Sequence, residues 1–101
     1  MQSIELKLDN TGKGAFVIDE GDKHLAEMVI SISDGNLTVY HTEVSDELKG
    51  QGVAAKLLAT MVEYVRKNNL KVIPLCPYVL IQFKRHPEQY QDIWNQNWRN
   101  A

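Results

Sequence analysis

Two stretches of this 101-residue chain combine residue types and spacings that can do chemistry. The first is Lys49-Gly50-Gln51-Gly52-Val53-Ala54, where two glycines precede a helix-forming run. Glycine allows positive φ and lets another molecule approach the backbone closely. A helix that starts there offers unpaired N–H groups and the positive end of its dipole. That combination suits an anion, above all a phosphate. A flexible connector would use the same residues. The spacing matches neither G-x-x-x-x-G-K-[ST] nor G-x-G-x-x-G. The second stretch is Cys76-Pro77. Proline favours the first helical position, which puts Cys76 at the N-cap, where the helix dipole favours a thiolate. A lone cysteine also serves as an inert small hydrophobe. His41 lies on a strand, where it could exchange a proton or simply fill a half-buried position. His24 and His86 are weaker candidates, because His86 precedes Pro87 and caps a helix end. No pair of histidines or acids has the spacing of metal ligands, so no metal is expected.

The elements around these residues follow from periodicity. Ile4, Leu6 and Leu8 alternate with Glu5 and Lys7, as in a strand. Asn10 to Gly14 reads as a turn, and Ala15 to Ile18 as a β-branched and aromatic strand. His24 to Ser33 is a third strand, in which Glu27 interrupts the apolar pattern. Ser33-Asp34-Gly35-Asn36 is a hairpin turn. Leu37 to Val44 is the fourth strand. Strict alternation puts Leu37, Val39, His41 and Glu43 on one face and Thr38, Tyr40, Thr42 and Val44 on the other. The period then changes. From Val53 to Lys67, Ala54, Leu57, Leu58, Met61, Val62 and Val65 recur at three and four, as in an amphipathic helix. Val72 to Leu75 is a short strand, and a second helix covers Tyr78 to Arg85. Tyr90, Ile93, Trp94 and Trp98 are spaced like one face of a C-terminal helix. Both tryptophans fit packing anchors or, if exposed, an interaction surface. The predicted fold class is α+β: a mostly antiparallel β meander, then helix, strand and helix, with the helices packed on the sheet. Residues 1–101 are read as one small domain.

Composition narrows the function classes. Eleven Lys and Arg against thirteen Asp and Glu give a formal net charge of −2, so nucleic acid is not an expected partner. The single cysteine points to a reducing compartment, and the first ten residues lack the blocks of a signal peptide. No apolar run approaches the roughly 20 residues of a membrane span, so a cytoplasmic protein is expected.

The glycine loop resembles motif A of the GCN5-related N-acetyltransferases, [Q/R]-x-x-G-x-[G/A]. Gly52 and Ala54 match its last two specified positions, while Lys49 stands where Gln or Arg is usual and keeps the positive charge. The wider stretch from Tyr40 to Leu58, together with Cys76-Pro77-Tyr78-Val79 and Arg85-His86-Pro87-Glu88, resembles the very small, single-domain YjdJ-like branch. The resemblance spans about Ala15 to Ile93 and implies a minimal form of that fold.

It also implies acetyl-CoA as co-substrate and an N-acetyltransferase activity. The fourth strand would splay from Val72–Leu75, so that the backbone of Thr42, Glu43 and Val44 pairs with the pantetheine amides. Gly50, Gln51, Gly52, Val53 and Ala54 would wrap the pyrophosphate. Lys49 and Lys56 would neutralise its charge, although plain solvent exposure suits both lysines as well. The resemblance puts Cys76 beside the thioester, either as an acyl-accepting nucleophile or as the acid that protonates departing CoA. His41 would lie within reach on the neighbouring strand, and Tyr78 is a secondary candidate for general acid. The acceptor is an amine of unspecified kind: a protein lysine, a chain terminus or a small amine. The chain has no room for the elements that shape the acceptor pocket in larger relatives. The expected state is a monomer or weak dimer. A non-catalytic CoA-binding or interaction module is the rival reading, and an adaptor that binds no nucleotide is a third.

Overall fold

The computed structural model describes residues 3–97. Five strands run β1 (Glu5–Leu8), β2 (Lys13–Glu20), β3 (Lys23–Ser33), β4 (Asn36–Val44) and β5 (Lys71–Pro74). Their order in the sheet is the order in the chain. The first four pair antiparallel, and β4 pairs parallel with β5. A parallel neighbour needs a crossover, and α1 (Val53–Lys67) supplies it between β4 and β5. After β5 come α2 (Pro77–Arg85) and the single turn α3 (Pro87–Tyr90). This is the expected α+β architecture, with a mixed sheet and helices packed on it.

The helices define an inner face. Phe16, Ile18, Met28, Ile30, Leu37, Val39 and Val72 from the strands are buried in one cluster with Leu57, Leu58, Met61 and Val65 of α1 and Val79 and Phe83 of α2. The stripe on α1 forms because apolar residues at three- and four-residue spacing share one side of a helix. The basic residues Arg66 and Lys67 fall in its last turn, where they complement the dipole.

Two irregularities in the sheet set the directions of its side chains. In the β2–β3 ladder, Ile18 faces Ala26 and Asp19 faces His24, so Leu25 is an extra residue on β3. In the β3–β4 ladder, Ile30 faces Val39 and Val29 faces His41, so Tyr40 is an extra residue on β4. An inserted residue of this kind shifts every later side chain to the opposite face. The strict alternation read from the sequence therefore fails at Tyr40. Leu37 and Val39 point into the core, but His41 and Glu43 point to the outer face, and Thr42 and Val44 take the inner side.

The C-terminal helix read from Tyr90, Ile93 and Trp94 is also corrected. Helix ends at Tyr90, and Trp94 instead forms a parallel bridge with Val72 along β5. The bridge is backed by Val72 N–H donating to the Ile93 carbonyl at 2.6 Å and Asn95 N–H donating to the Val72 carbonyl at 2.9 Å. Trp94 packs edge-on to Phe83, with ring centres 5.6 Å apart, and Phe83 stacks on Tyr90 at 4.6 Å. Trp94 is thus a packing anchor, whereas Trp98 lies outside the described residues. Arg66 fastens this segment to α1 through Asp92 at 3.0 Å and the Gln89 carbonyl at 2.8 Å.

Candidate functional site

The site begins where the sheet opens. Pairing of β4 with β5 runs only from Asn36↔Lys71 to Val39↔Pro74. The last bond across the pair is Cys76 N–H donating to the Val39 carbonyl at 2.8 Å. Proline at 74 and again at 77 cannot extend the ladder, since it has no N–H to give. From His41 to Val44, β4 therefore keeps its pairing with β3 but, among the described residues, has no strand on its other side. This is the splay that the sequence resemblance implied, and it starts at the bulged residue.

Cys76 sits at the base of the opening. It is the N-cap of α2, with Pro77 at the first helical position, and it is buried. Its thiol lies 3.4 Å from the Thr42 hydroxyl. Thr42 reaches it because the bulge turned that residue inward. His41 does not share this contact: its Nε2 instead faces Glu27 Oε2 at 3.2 Å on the outer side. Thr42 was named in the sequence for its backbone, and its side-chain role became visible only in the strand register.

The glycine loop closes the near end of a cavity of about 300 Å³, lined among others by Val44, Lys49, Gly50, Gly52, Ala54, Ala55 and Tyr78. A 3₁₀ turn, Asp46–Leu48, carries the chain into it, capped by the Ser45 hydroxyl. Gly50 and Gly52 adopt the left-handed φ values of 79° and 70°. A Cβ at either would meet no neighbour within 4 Å, so conformation rather than space selects glycine. The first bond inside α1 is donated by Lys56 N–H to the Gly52 carbonyl. Hence the amides of Val53, Ala54 and Ala55 precede any helical acceptor and are available to an anion. Ala55 was missed in the sequence, although the helix start there would have revealed it. Gln51 differs from its neighbours, because its N–H already donates to the Leu48 carbonyl at 3.3 Å. Lys49 lines the cavity and pairs with Asp46 at 3.0 Å, while Lys56 is exposed and does not line it.

A larger cavity, about 550 Å³, continues between α1 and α2 and shares Ala55 and Tyr78 with the first. Ala55 and Ala59 of α1 line one wall, and Tyr78 and Gln82 of α2 with Tyr90 of α3 line the other. Burial pushes the Tyr78 phenol up from its ordinary pKa, with Tyr90 and Cys76 adding to the shift, so the phenol stays protonated at neutral pH. The free amides suit an anionic group, and the splayed edge leaves backbone groups open to a ligand's own hydrogen-bonding groups.

The outer face near the opening carries a hydrogen-bonded chain of titratable groups. His24 Nδ1 lies 2.7 Å from Asp19, its Nε2 lies 2.7 Å from Glu27, and the other oxygen of Glu27 faces His41. The two carboxylates raise the pKa of His24. The His24 contact, and less so that of His41, lowers the pKa of Glu27. Glu27 was not singled out in the sequence. Its signal was the charge that broke an apolar strand pattern.

Comparison with known proteins fits this geometry. A model of the family described as GCN5-related N-acetyl-transferase matches residues 15–93. A GCN5-like protein from Staphylococcus aureus, solved in solution by NMR, is 38% identical with a TM-score of 0.66, and the match covers 90% of this chain and 87% of that one. Two crystal structures share the fold at lower identity. A GNAT-family protein from Desulfovibrio desulfuricans is 19% identical with a TM-score of 0.53, over 62% of this chain and 43% of its own. A ribosomal-protein-alanine N-acetyltransferase from Brucella melitensis biovar Abortus 2308 is 14% identical with a TM-score of 0.57, over 86% and 64%. No curated protein shows a match to the chain. Among the described residues, no helix is long and apolar enough to cross a membrane.

Proposed function

The chain belongs to the GCN5-related N-acetyltransferases, and on that premise we propose that it transfers acetyl from acetyl-CoA to a primary amine at the opening beside Thr42 and Cys76. The observation that carries this reading is the end of β4–β5 pairing at Val39↔Pro74, with Cys76 at its base and the glycine-loop cavity leading to it. In this arrangement Val53, Ala54 and Ala55 hold the pyrophosphate by their amides, and Lys49 adds positive charge. The free backbone edge of Thr42, Glu43 and Val44 aligns the pantetheine.

Direct transfer suits the geometry better than an acyl-enzyme. A base within hydrogen-bond reach is the usual activator of a nucleophilic thiol, and here the side-chain partner of Cys76 is a hydroxyl. In direct transfer the amine nitrogen attacks the thioester carbonyl and the C–S bond breaks. Cys76 gives its proton to the departing CoA sulfur, with Tyr78 at the same cavity as an alternative donor. His41, held by Glu27 on the outer side, takes the proton that the acceptor must lose. The outer face near β4 is open, so the acceptor approaches from there: a protein lysine, a chain terminus or a small amine.

Native mass spectrometry with acetyl-CoA, followed by an amine panel, tests the proposal. The expected result is one acetyl-CoA per chain, unmodified Cys76, and transfer slowed about 10²-fold or more in Cys76→Ala, the usual contribution of a positioned acid. Acetyl found on Cys76 would replace direct transfer by the covalent route. Tight binding with no transfer to any amine would leave a CoA-binding module, and no binding would sink the reading entirely.

A further inference from the structure

On the open face of the sheet, Glu27 and Glu43 stand directly opposite each other in the β3–β4 ladder. Like charges facing across a strand pair repel, so this pairing is unfavourable by itself. His41 comes from the next outward position of β4, opposite Val29. One donor atom from each of Glu27, His41 and Glu43 lies within 4.8 Å of the other two. Glu43 has no side-chain hydrogen bond or ion pair among the described residues, which leaves its carboxylate free to turn. Two donors that share an ion at about 2.1 Å each cannot be more than about 4.2 Å apart, so a small rotation of exposed side chains closes the set.

The frame beneath these donors is stiff. Both strands are in register in a sheet whose opposite face is the core. His24, itself held by Asp19 at 2.7 Å, grips the other oxygen of Glu27 at 2.7 Å, in the manner of the outer partners that orient ligating carboxylates. We propose that Glu27, His41 and Glu43 form a binding site for a divalent cation of the zinc class. An imidazole with two carboxylates selects such an ion over magnesium or calcium, which prefer all-oxygen sets. Three protein ligands at the surface leave a further position for water or another ligand. A cation there neutralises the Glu27–Glu43 repulsion and, by occupying the imidazole nitrogen of His41, withdraws that nitrogen from accepting a proton. The proposal rests on side-chain placement alone and does not depend on acetyl transfer.

The test is calorimetric titration of zinc into the full, metal-stripped chain in a non-chelating buffer, with NMR of the histidine rings alongside. Saturation at one equivalent is expected, with the His41 ring signals moving in step. Affinity falls about tenfold or more in Glu43→Gln and in His41→Ala, persists in Cys76→Ser, and magnesium gives no saturable heat. Circular dichroism confirms that Glu43→Gln and His41→Ala, at exposed positions, and Cys76→Ser, at a buried one, are folded. Absence of saturation up to millimolar zinc overturns the proposal. So does unchanged affinity in both site variants, or loss of binding in Cys76→Ser.

Discussion

On the inner side of β3 and β4, Ala26, Met28, Ile30, Leu37 and Val39 are sealed under α1 and α2, while on the outer side Glu27, His41 and Glu43 are half or fully exposed. The same two strands build both faces. The inner face is continuous because apolar burial rewards every contact that excludes water, roughly 25 cal/mol per Å². Among the described residues no helix covers the outer face, so it keeps charges solvated at little cost. Tyr40 decides which residues go to which face. By taking the extra place in the ladder, it delivers Thr42 to Cys76 and hands His41 to Glu27. A single backbone irregularity thus separates the donor side of the proposed reaction from its acceptor side.

Removing that irregularity is the strongest way to break the contrast. Insertion of one residue between Val29 and Ile30 gives Tyr40 a partner and restores strict alternation, turning Met28, Thr42 and Val44 outward and Glu27, His41 and Glu43 into the core. Burying groups that need water costs several kcal/mol, and a loss above about 4 kcal/mol in urea unfolding is expected. A loss below about 1 kcal/mol would mean that the bulge does not control the faces.

Substitutions at neighbouring positions of β3 sharpen the comparison. Met28→Ala hollows the core and should cost about 2–5 kcal/mol. Glu27→Gln, one residue away on the outer face, should stay within about 1 kcal/mol of the parent protein. Equal losses in the two variants would show that the outer face also carries folding stability.

At the glycine loop the effect should separate binding from folding. Gly52→Val meets no steric neighbour but must hold a left-handed φ, a strain of about 1–2 kcal/mol. A modest fall in stability with a loss of acetyl-CoA affinity of about tenfold or more is expected, because relief of the strain moves the helix-start amides. Calorimetry and thermal unfolding of the same sample separate the two; unaltered affinity would remove the loop from the binding site.

The smallest effect is pH dependence at the outer face in metal-free buffer. Glu27 has a lowered pKa, so its contribution is present above the unfolded carboxylate pKa and lost as pH falls through the folded value. His24 has a raised pKa, so its contribution is complete below the unfolded imidazole pKa and lost as pH rises through the folded one. The contact therefore helps most in mildly acidic solution. Because both groups are solvent-screened, the gain should stay below about 1 kcal/mol, and it should shrink in the pH profile of melting temperature in Glu27→Gln, where Asp19 still raises the His24 pKa.

The periodicity of Val53 to Lys67 determined α1 to the residue, because a helix repeats every 3.6 positions within one segment. The loop glycines and the Cys76-Pro77 helix start were equally legible, since left-handed φ and N-capping are local demands. Strand identity could also be read, although β2 and β5 begin earlier than their apolar runs. Side-chain direction beyond Tyr40 could not be read, because a bulge exists only relative to a partner strand and nothing within Leu37–Val44 announces it. The same holds for Trp94, whose helical spacing gave way to a bridge with Val72 and a place beside Phe83. It holds too for Glu27, which has no spacing along the chain that relates it to His41 and Glu43, the two residues that alternation already put on one face. Only the pairing of β3 with β4 brings their side chains together, and only the tertiary fold leaves that face uncovered.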